Sequence, residues 1–410
     1  MKFLRKALDK AEPVFSKDGK LHKFHALYEM VDTFLFTPSE TTKSASHIRD
    51  GIDLKRVMTI VVLAVLPAFS VAIYNTGLQG NLALQSTGAY GDGWRSVFIH
   101  FLGAGSNPHS VLDNVLLGLA YLIPVYVVTF AAGGFWEMLF AVVRKGEINE
   151  GFLVTGMLFP LILPATIPLW QVAIGISFGV VLGKEVFGGT GMNVFNPALV
   201  GRAFLFFAYP AQVSGNSVWV PYDMLSSATG AIETFTMTTP LAVVAEKGLS
   251  AIGITWWDAF WGWIPGSAGE TSTFAILIGA VILLISGIAS WRIMFSISAS
   301  MVVFSSILNF IGSDTNPMYS LTPAWHFVLG GFAFGTVFMA TDPVSASMTS
   351  GGKYIYGAII GFMVVLVRVI NPAFPEGMML SILFGNAFAP LIDNVIMKQN
   401  IKRRKLRYVK

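Results

Sequence analysis

Long apolar runs, separated by short polar or glycine- and proline-rich stretches, dominate the chain. Ten of these runs predict membrane spans, because about 20 apolar residues cross the hydrocarbon core and re-entrant segments need fewer. The ten lie at 57–75, 114–143, 151–164, 168–183, 196–210, 273–290, 292–311, 325–341, 354–370 and 377–396. The pattern predicts an all-α polytopic membrane protein.

The distribution of Lys and Arg predicts the orientation. Of the 27 basic residues, 11 lie in residues 1–56 and seven in 398–410. With the N-terminus inside, the remaining inner loops also carry most of the other positive charges, as the positive-inside bias requires. The chain then divides into a cytoplasmic basic segment (1–56), five spans (57–210), an exterior loop (211–272), five more spans (273–396) and a cytoplasmic basic tail (397–410).

Composition excludes several classes of function. The 410 residues are 54% hydrophobic and 12% charged, and they include no cysteine. The chain therefore holds no iron–sulfur cluster through thiolates and forms no disulfide. Its six histidines are scattered, and no Walker A, GxGxxG or GxSxG motif is present. We expect no metal site, no soluble nucleotide-binding or hydrolase domain, and no nucleic-acid partner.

An internal repeat predicts two inverted halves, and the alternative is a chance similarity between apolar, glycine-rich spans. "GMLFPLILP" (156–164) is similar to "GTVFMATDP" (335–343), and "VFNPA" (194–198) is similar to "VINPA" (369–373). The repeat relates spans three to five to spans eight to ten. Because five spans separate the copies, the copies face opposite ways. Inverted repeats with broken spans place ligand sites between the two halves.

Charged residues inside spans are costly and therefore mark candidate sites. Glu137 either faces a cavity that attracts a cation or forms a salt bridge. Asp342 and Asp393 lie near the inner ends of spans eight and ten, as caps, anchors or cation ligands. Arg202 and Arg368 either pair structurally or neutralise a phosphate, a carboxylate or a reduced flavin.

Three further features permit, but do not require, a ring-binding site. Gly133 and Gly134 allow close approach of another helix or of a flat ring. Asn193 and Asn196 either cap span five or hydrogen-bond the edge of a heterocycle. The exterior loop contains "LSSATG" (225–230), a plain polar turn or an attachment point whose Thr229 hydroxyl could form a phosphodiester with a flavin nucleotide.

A family resemblance rests on long, specific strings from about residue 20 to the end. They are "HALYEM", "DLKRVM", "GGFWEMLFAVVRK", "KEVFGGTGMNVFNPALVGRAFLFFAYPAQ", "IPGSAGE", "FMATDPVSAS" and "NPAFPEGMMLSILFGNAFAPLIDN". In these strings the chain resembles the B subunits of sodium-translocating NADH:quinone oxidoreductases. The nearest confusable relatives are the D subunits of ferredoxin:NAD oxidoreductase complexes, and the long basic N-terminal segment favours the former.

The resemblance implies cofactors and site residues. FMN would be attached covalently to Thr229 of the motif Ser226-Ser227-Ala228-Thr229, in which Ser227 replaces the common glycine. A non-covalent riboflavin would lie near Thr155, Asn193 and Asn196. The resemblance further implies a quinone region at Gly133 and Gly134, and sodium-path roles for Glu137, Asp342 and Asp393.

The resemblance also implies the setting. The fold would be similar to urea and ammonium transporters, with inverted five-helix repeats in a bacterial inner membrane. The A, C, D, E and F subunits would complete the complex, and a flavin transferase would attach FMN outside the cytoplasm. Electrons would pass from NADH through the partners to FMN, riboflavin and ubiquinone-8, coupled to Na⁺ export.

Two alternatives use the same residues differently. The inverted-repeat scaffold could serve as a channel or transporter for a small polar solute, without redox chemistry. The chain could also be a purely structural scaffold within a complex. Flavin that stays with the denatured polypeptide would separate the redox hypothesis from the solute pore.

Overall fold

The computed structural model describes residues 2–15, 54–87, 105–144, 151–213, 238–371 and 376–408, with isolated positions 19, 28, 32, 95, 99, 101, 103 and 220. These residues form helices and connecting turns, with no strand among them. Ser226, Ser227, Ala228 and Thr229 lie outside the described residues.

Besides the single turn Pro210–Val213 and short 3₁₀ turns, the described residues contain fourteen α-helices. They are α1 (Lys2–Phe15), α2 (Leu54–Thr87), α3 (Val111–Arg144), α4 (Gly151–Leu161), α5 (Leu169–Gly183), α6 (Pro197–Ala208), α7 (Pro240–Lys247), α8 (Trp256–Trp261), α9 (Thr273–Ile285), α10 (Trp291–Ile311), α11 (Pro323–Val328), α12 (Phe332–Phe334), α13 (Ser350–Val365) and α14 (Met378–Tyr408). Wider π-helical turns extend α12 through Gly335–Met339 and α13 through Leu366–Ile370.

Six helical segments are long and apolar enough to cross a membrane. They are Arg56–Gln85, Val111–Arg144, Leu169–Phe187, Trp291–Ile311, Ser350–Ile370 and Met378–Arg407. Each overlaps one of the ten apolar runs. Three other runs coincide with the shorter apolar helices α4, α6 and α9. The remaining run, 325–341, is a broken segment made of α11, α12 and the π turn.

Helix α2 continues well beyond the apolar run that predicted it. The run ends at residue 75, but the helix extends to Thr87 because buried polar side chains find partners there. Asn75 Nδ2 donates to the Ile264 carbonyl over 2.9 Å, and Asn81 Nδ2 donates to Asn114 Oδ1 over 2.7 Å. Hydropathy alone does not detect a helix whose polar face is satisfied by other segments.

Small residues bring helix backbones into contact in both halves of the chain. A Cβ added to Gly201 in α6 would lie 2.6 Å from the Gly175 carbonyl oxygen in α5. A Cβ added to Gly361 in α13 would lie 2.3 Å from the Ile297 carbonyl oxygen in α10. Helices in lipid associate through such close van der Waals packing. The hydrophobic effect does not drive their association, because lipid tails are as apolar as the helix surfaces.

Both halves contain an interrupted helix whose freed backbone groups are satisfied inside the protein. After α4, the loop before α9 hydrogen-bonds to the backbone around the mostly buried segment 162–168. Gly269 N donates to the Leu161 carbonyl over 2.7 Å, and Ala268 N donates to the Leu163 carbonyl over 3.2 Å. Between α11 and α12 the backbone breaks at residues 329–331. Irregular backbone at membrane depth is tolerated only where protein covers it.

Candidate functional site

One partly open cavity collects residues from both halves of the chain. It contains about 740 Å³ of empty space, part of which opens to the outside. Its apolar walls come from α2, α4, α9 and the π turn after α12, and include Val61, Leu158, Leu283 and Phe338. Its polar edge carries Thr155, Lys184, Thr190, Asn193, Asn196 and Asp342. The structure thus brings together the three residues expected near a riboflavin.

The two asparagines hold the start of α6 and leave one polar group each for the cavity. Asn196 Oδ1 accepts from the backbone N–H groups of Ala198 and Leu199 at 3.0 and 3.4 Å, as an N-cap does. Asn193 Nδ2 donates to the Phe195 carbonyl over 2.9 Å. Among the described residues nothing bonds to Asn196 Nδ2 or Asn193 Oδ1. The edge therefore offers one amide donor and one amide acceptor, so both roles considered for these residues are available.

A glycine-rich turn carries the chain from α5 back to these asparagines. Gly188, Gly189 and Gly191 have φ angles of 122°, 98° and 89°. Side chains are strained in this region of backbone conformation, which is why the turn reads GGTG. Between them, Thr190 presents a buried Oγ1 that has no hydrogen-bond partner among the described residues. A buried hydroxyl without a protein partner at a cavity wall is available to a water molecule or to a polar ligand.

A buried ion pair stands at the same edge. Lys184 Nζ lies 2.6 Å from Glu137 Oε1, and the side chains are only 4% and 6% exposed. Beside them, Glu185 Oε2 accepts from Arg144 Nη1 over 2.8 Å. Glu137 therefore has a cationic partner. The sequence does not predict the contact of Lys184 with Glu137, because the pair joins residues 47 positions apart.

The other two acidic residues have different surroundings. Asp342 lines the cavity, and its Oδ2 accepts from Ser345 Oγ over 2.6 Å. Asp393 does not line this cavity. Its carboxylate accepts four hydrogen bonds, from the hydroxyls of Ser347 and Thr349 and the backbone N–H groups of Met348 and Thr349, at 2.6–3.0 Å. Asp393 thereby anchors the loop that begins α13.

The paired glycines lie one helical turn from Glu137. A Cβ on Gly133 would lie 2.4 Å from Phe152 Cε2, whereas one on Gly134 would meet only an ordinary contact at 3.8 Å. Phe152 packs edge-on against Phe130 at 5.8 Å. Phe130 in turn lines a separate apolar groove between α2 and α3, with about 710 Å³ of empty space. Gly133 thus serves helix packing beside that groove.

Both arginines inside spans are structurally paired, away from the cavity. Arg202 Nη1 lies 2.9 Å from Glu270 Oε1, and Arg202 Nη2 also contacts Glu376. Arg368 donates to the carbonyls of His326 and Leu329 over 3.1 and 3.0 Å, which satisfies the break between α11 and α12. Each guanidinium thus joins segments distant in sequence.

Broken helices around a cavity with polar lining residues define a polytopic helical membrane protein. The family model described as "NQR2, RnfD, RnfE family" matches residues 41–402. The chain belongs to this family.

Curated relatives are similar over nearly their whole length. The chain is 57% identical to a protein of Chromohalobacter salexigens over 98% of this chain and 96% of that protein. It is also 57% identical to proteins of Ectopseudomonas mendocina and Azotobacter vinelandii, over 99% of this chain and 100% of each. All three are named as the B subunit of a Na(+)-translocating NADH-quinone reductase.

Proposed function

We propose that this chain is the membrane-embedded, electron-carrying B subunit of a Na⁺-translocating NADH-quinone reductase. The observation that carries the proposal is the convergence of Thr155, Asn193 and Asn196 on one cavity between the two halves of the chain. The relatives' names supply the reaction. Because the chain has no cysteine and no dinucleotide motif, partner subunits would oxidise NADH and deliver the electrons.

The residues of the cavity fit a non-covalent riboflavin. Its isoalloxazine ring is flat and apolar on both faces, with hydrogen-bond donors and acceptors along one edge. Apolar walls with a few convergent polar groups are the usual form of a cofactor pocket. Asn196 Nδ2, Asn193 Oδ1 and the unpartnered Thr190 hydroxyl supply complementary donors and acceptors. Bound there, riboflavin would accept and donate electrons within the membrane.

The remaining cofactor and substrate positions follow from the resemblance. FMN would be esterified to Thr229, beside Ser226, Ser227 and Ala228, by a flavin transferase. Ubiquinone-8 would react near Gly133 and Gly134. The apolar groove that ends at Phe130 supports a nearby path for a hydrophobic substrate.

The three acidic residues would contribute to Na⁺ movement in different ways. Asp342 lines the cavity and is the candidate cation ligand. Glu137 is held by Lys184, and Asp393 is saturated by four donors. We propose that Glu137 acts through its lysine and Asp393 by holding the inner loop of α13.

We propose that the architecture is ten spans in two inverted five-helix repeats, similar to urea and ammonium transporters. The helix contacts of the first half recur in the second half, in support of this repeat. In the first half α3 packs against α5, α5 against α6 and α4 against α6. The corresponding contacts in the second half are α10 with α13, α13 with α14, and the π turn after α12 with α14. The complex would lie in a bacterial inner membrane, with both termini of this chain cytoplasmic and the A, C, D, E and F subunits as partners.

The test measures flavin in the purified complex from cells that contain the flavin transferase. Thr229→Ala should abolish the flavin that stays with this polypeptide after denaturation. Asn196→Asp keeps the capping oxygen but loses both amide donors, and should reduce the flavin released on denaturation. Asn107→Asp, an exposed asparagine, is the matched control. A complex with no flavin on or in this chain would favour the solute pore.

A further inference from the structure

Lys184 is the single basic side chain among the described residues that line the cavity. It is almost completely buried, and its ammonium donates one hydrogen bond, to Glu137 Oε1. The nearest other carboxylate oxygen, Glu185 Oε1, is 3.9 Å from Nζ, which is too far for a hydrogen bond. Glu185 is bound instead by Arg144.

An ammonium has three N–H groups, so Lys184 keeps two that no described side chain uses. Burying a charged amine is costly without a partner, and Glu137 provides it. The partner lies on α3, whereas the cavity lies between α4, α9 and the turn before α6. Lys184 lines the cavity, whereas Glu137, which holds its ammonium, is not among the lining residues.

We infer that the Lys184 ammonium favours the reduced state of a ring bound in this cavity. Glu137 is a positioning residue: it holds the ammonium, and its negative charge partly offsets the effect of the ammonium on the reduction potential of the ring. The inference rests on the proposed function. A flavin that takes up two electrons and one proton carries one negative charge. A buried ammonium at the polar edge stabilises that charge more strongly than the neutral oxidised ring, because the local dielectric is low.

Glu137 then acts on the ring through Lys184. Its carboxylate is occupied by a tethered cation, so it does not have to bind Na⁺ in order to influence turnover. Removing the carboxylate frees the lysine and should strengthen the field at the ring. Removing both groups avoids an unpaired buried charge, and replacing such a pair by apolar groups of similar size is often tolerated.

The experiment is a redox titration of the non-covalent flavin in the purified complex. The variants are Glu137→Gln, Lys184→Arg and the double variant Glu137→Gln/Lys184→Met. Lys353→Met, another lysine near the inner end of a span, is the control. Flavin content is measured on the same samples, so that loss of the ring is not confused with a change in its potential.

We expect the double variant to disfavour the reduced ring about tenfold, which is a fall of about 30 mV in a two-electron midpoint potential. Glu137→Gln should shift the potential upward, and Lys184→Arg and Lys353→Met should leave it close to the parent value. Equal potentials in the parent, Glu137→Gln and the double variant, with flavin content unchanged, would overturn the inference. In that case the proposed function would stand if Asn196→Asp still lowered flavin content, and would fail if it did not.

Discussion

At the scale of single residues, the carboxylate of Asp393 is occupied by hydrogen-bond donors, which favours a structural role over direct binding of a cation. Its two oxygens receive four donors from the loop before α13. Hydrogen bonds to a charged group contribute about 1.5–3 kcal/mol each, and an amide can replace only part of this set. We expect Asp393→Asn to lower the unfolding temperature of the complex and to raise the half-saturating Na⁺ concentration together.

Ser347→Ala separates the two possible causes of that effect. It removes one donor to Asp393 and leaves the carboxylate in place. If Asp393 acts by holding the loop, Ser347→Ala should reproduce the same two changes at smaller size. A weaker response to Na⁺ in Asp393→Asn with an unchanged unfolding temperature would instead make the carboxylate a direct cation ligand.

Arg202 gives a second prediction at this scale. It is 3% exposed and bound by Glu270, which is equally buried. Removing one member of a buried pair leaves an uncompensated charge, at a cost of about 3–5 kcal/mol. Arg202→Met should therefore destabilise the detergent-solubilised protein strongly, and Arg202→Met/Glu270→Gln should recover much of the loss. Lys398→Met, on the exposed tail, should change little. A double variant no more stable than Arg202→Met would contradict this account.

At the scale of elements, the position of helices could be predicted from the sequence better than their length and continuity. Apolar runs identified α3, α10 and α13 because these helices are apolar over most of their length and expose much of that surface. The extension of α2 to Thr87 could not be predicted, since its polar residues are satisfied by Ile264 and Asn114, far away in the chain. The break at residues 329–331 is stabilised by Arg368, and that contact has no local signature.

In the candidate site, too, contacts between residues far apart in the sequence could not be predicted. Asn193 and Asn196 were recognisable because a glycine-rich turn leads into a helix start. The Glu137–Lys184 pair was not, because each residue alone is consistent with a membrane-interface charge. Its one sequence signal was that Lys184 directly follows an apolar run ending at Gly183 and precedes a second charge, Glu185. Two adjacent opposite charges at the end of a span suggest partners on another helix.

The contact between α5 and α6 leads to a prediction about helix packing. The backbone of Gly201 approaches the Gly175 carbonyl so closely that a methyl group has no room. Gly201→Ala should push the helices apart and cost roughly 1–3 kcal/mol, as overpacking in close-packed interiors does. Gly351→Ala, whose added Cβ would meet an ordinary 3.5 Å contact, is the control. Unfolding temperatures compare the two, and equal losses would refute the packing argument.

At the scale of the whole molecule, the broken segment between α10 and α13 decides the topology. If it crosses the membrane, residue 313 is outside and residue 350 is inside, and the second half contains five spans. If it does not cross, both positions share one side and the inverted repeat fails. Because the chain contains no cysteine, one introduced thiol is the only thiol of this polypeptide that a reagent can label.

We expect a membrane-impermeant maleimide added to intact spheroplasts to label Ser313→Cys and Ser250→Cys. Ser350→Cys and Gln399→Cys should react only after the membrane is permeabilised. All four positions are exposed in the structure, so burial does not limit labelling. Ser250 and Gln399 report the exterior loop and the basic tail, whose sides follow from the positive-inside bias. Labelling of Ser350→Cys in intact spheroplasts would show that the segment 325–341 does not cross the membrane, and would contradict the proposed inverted repeat.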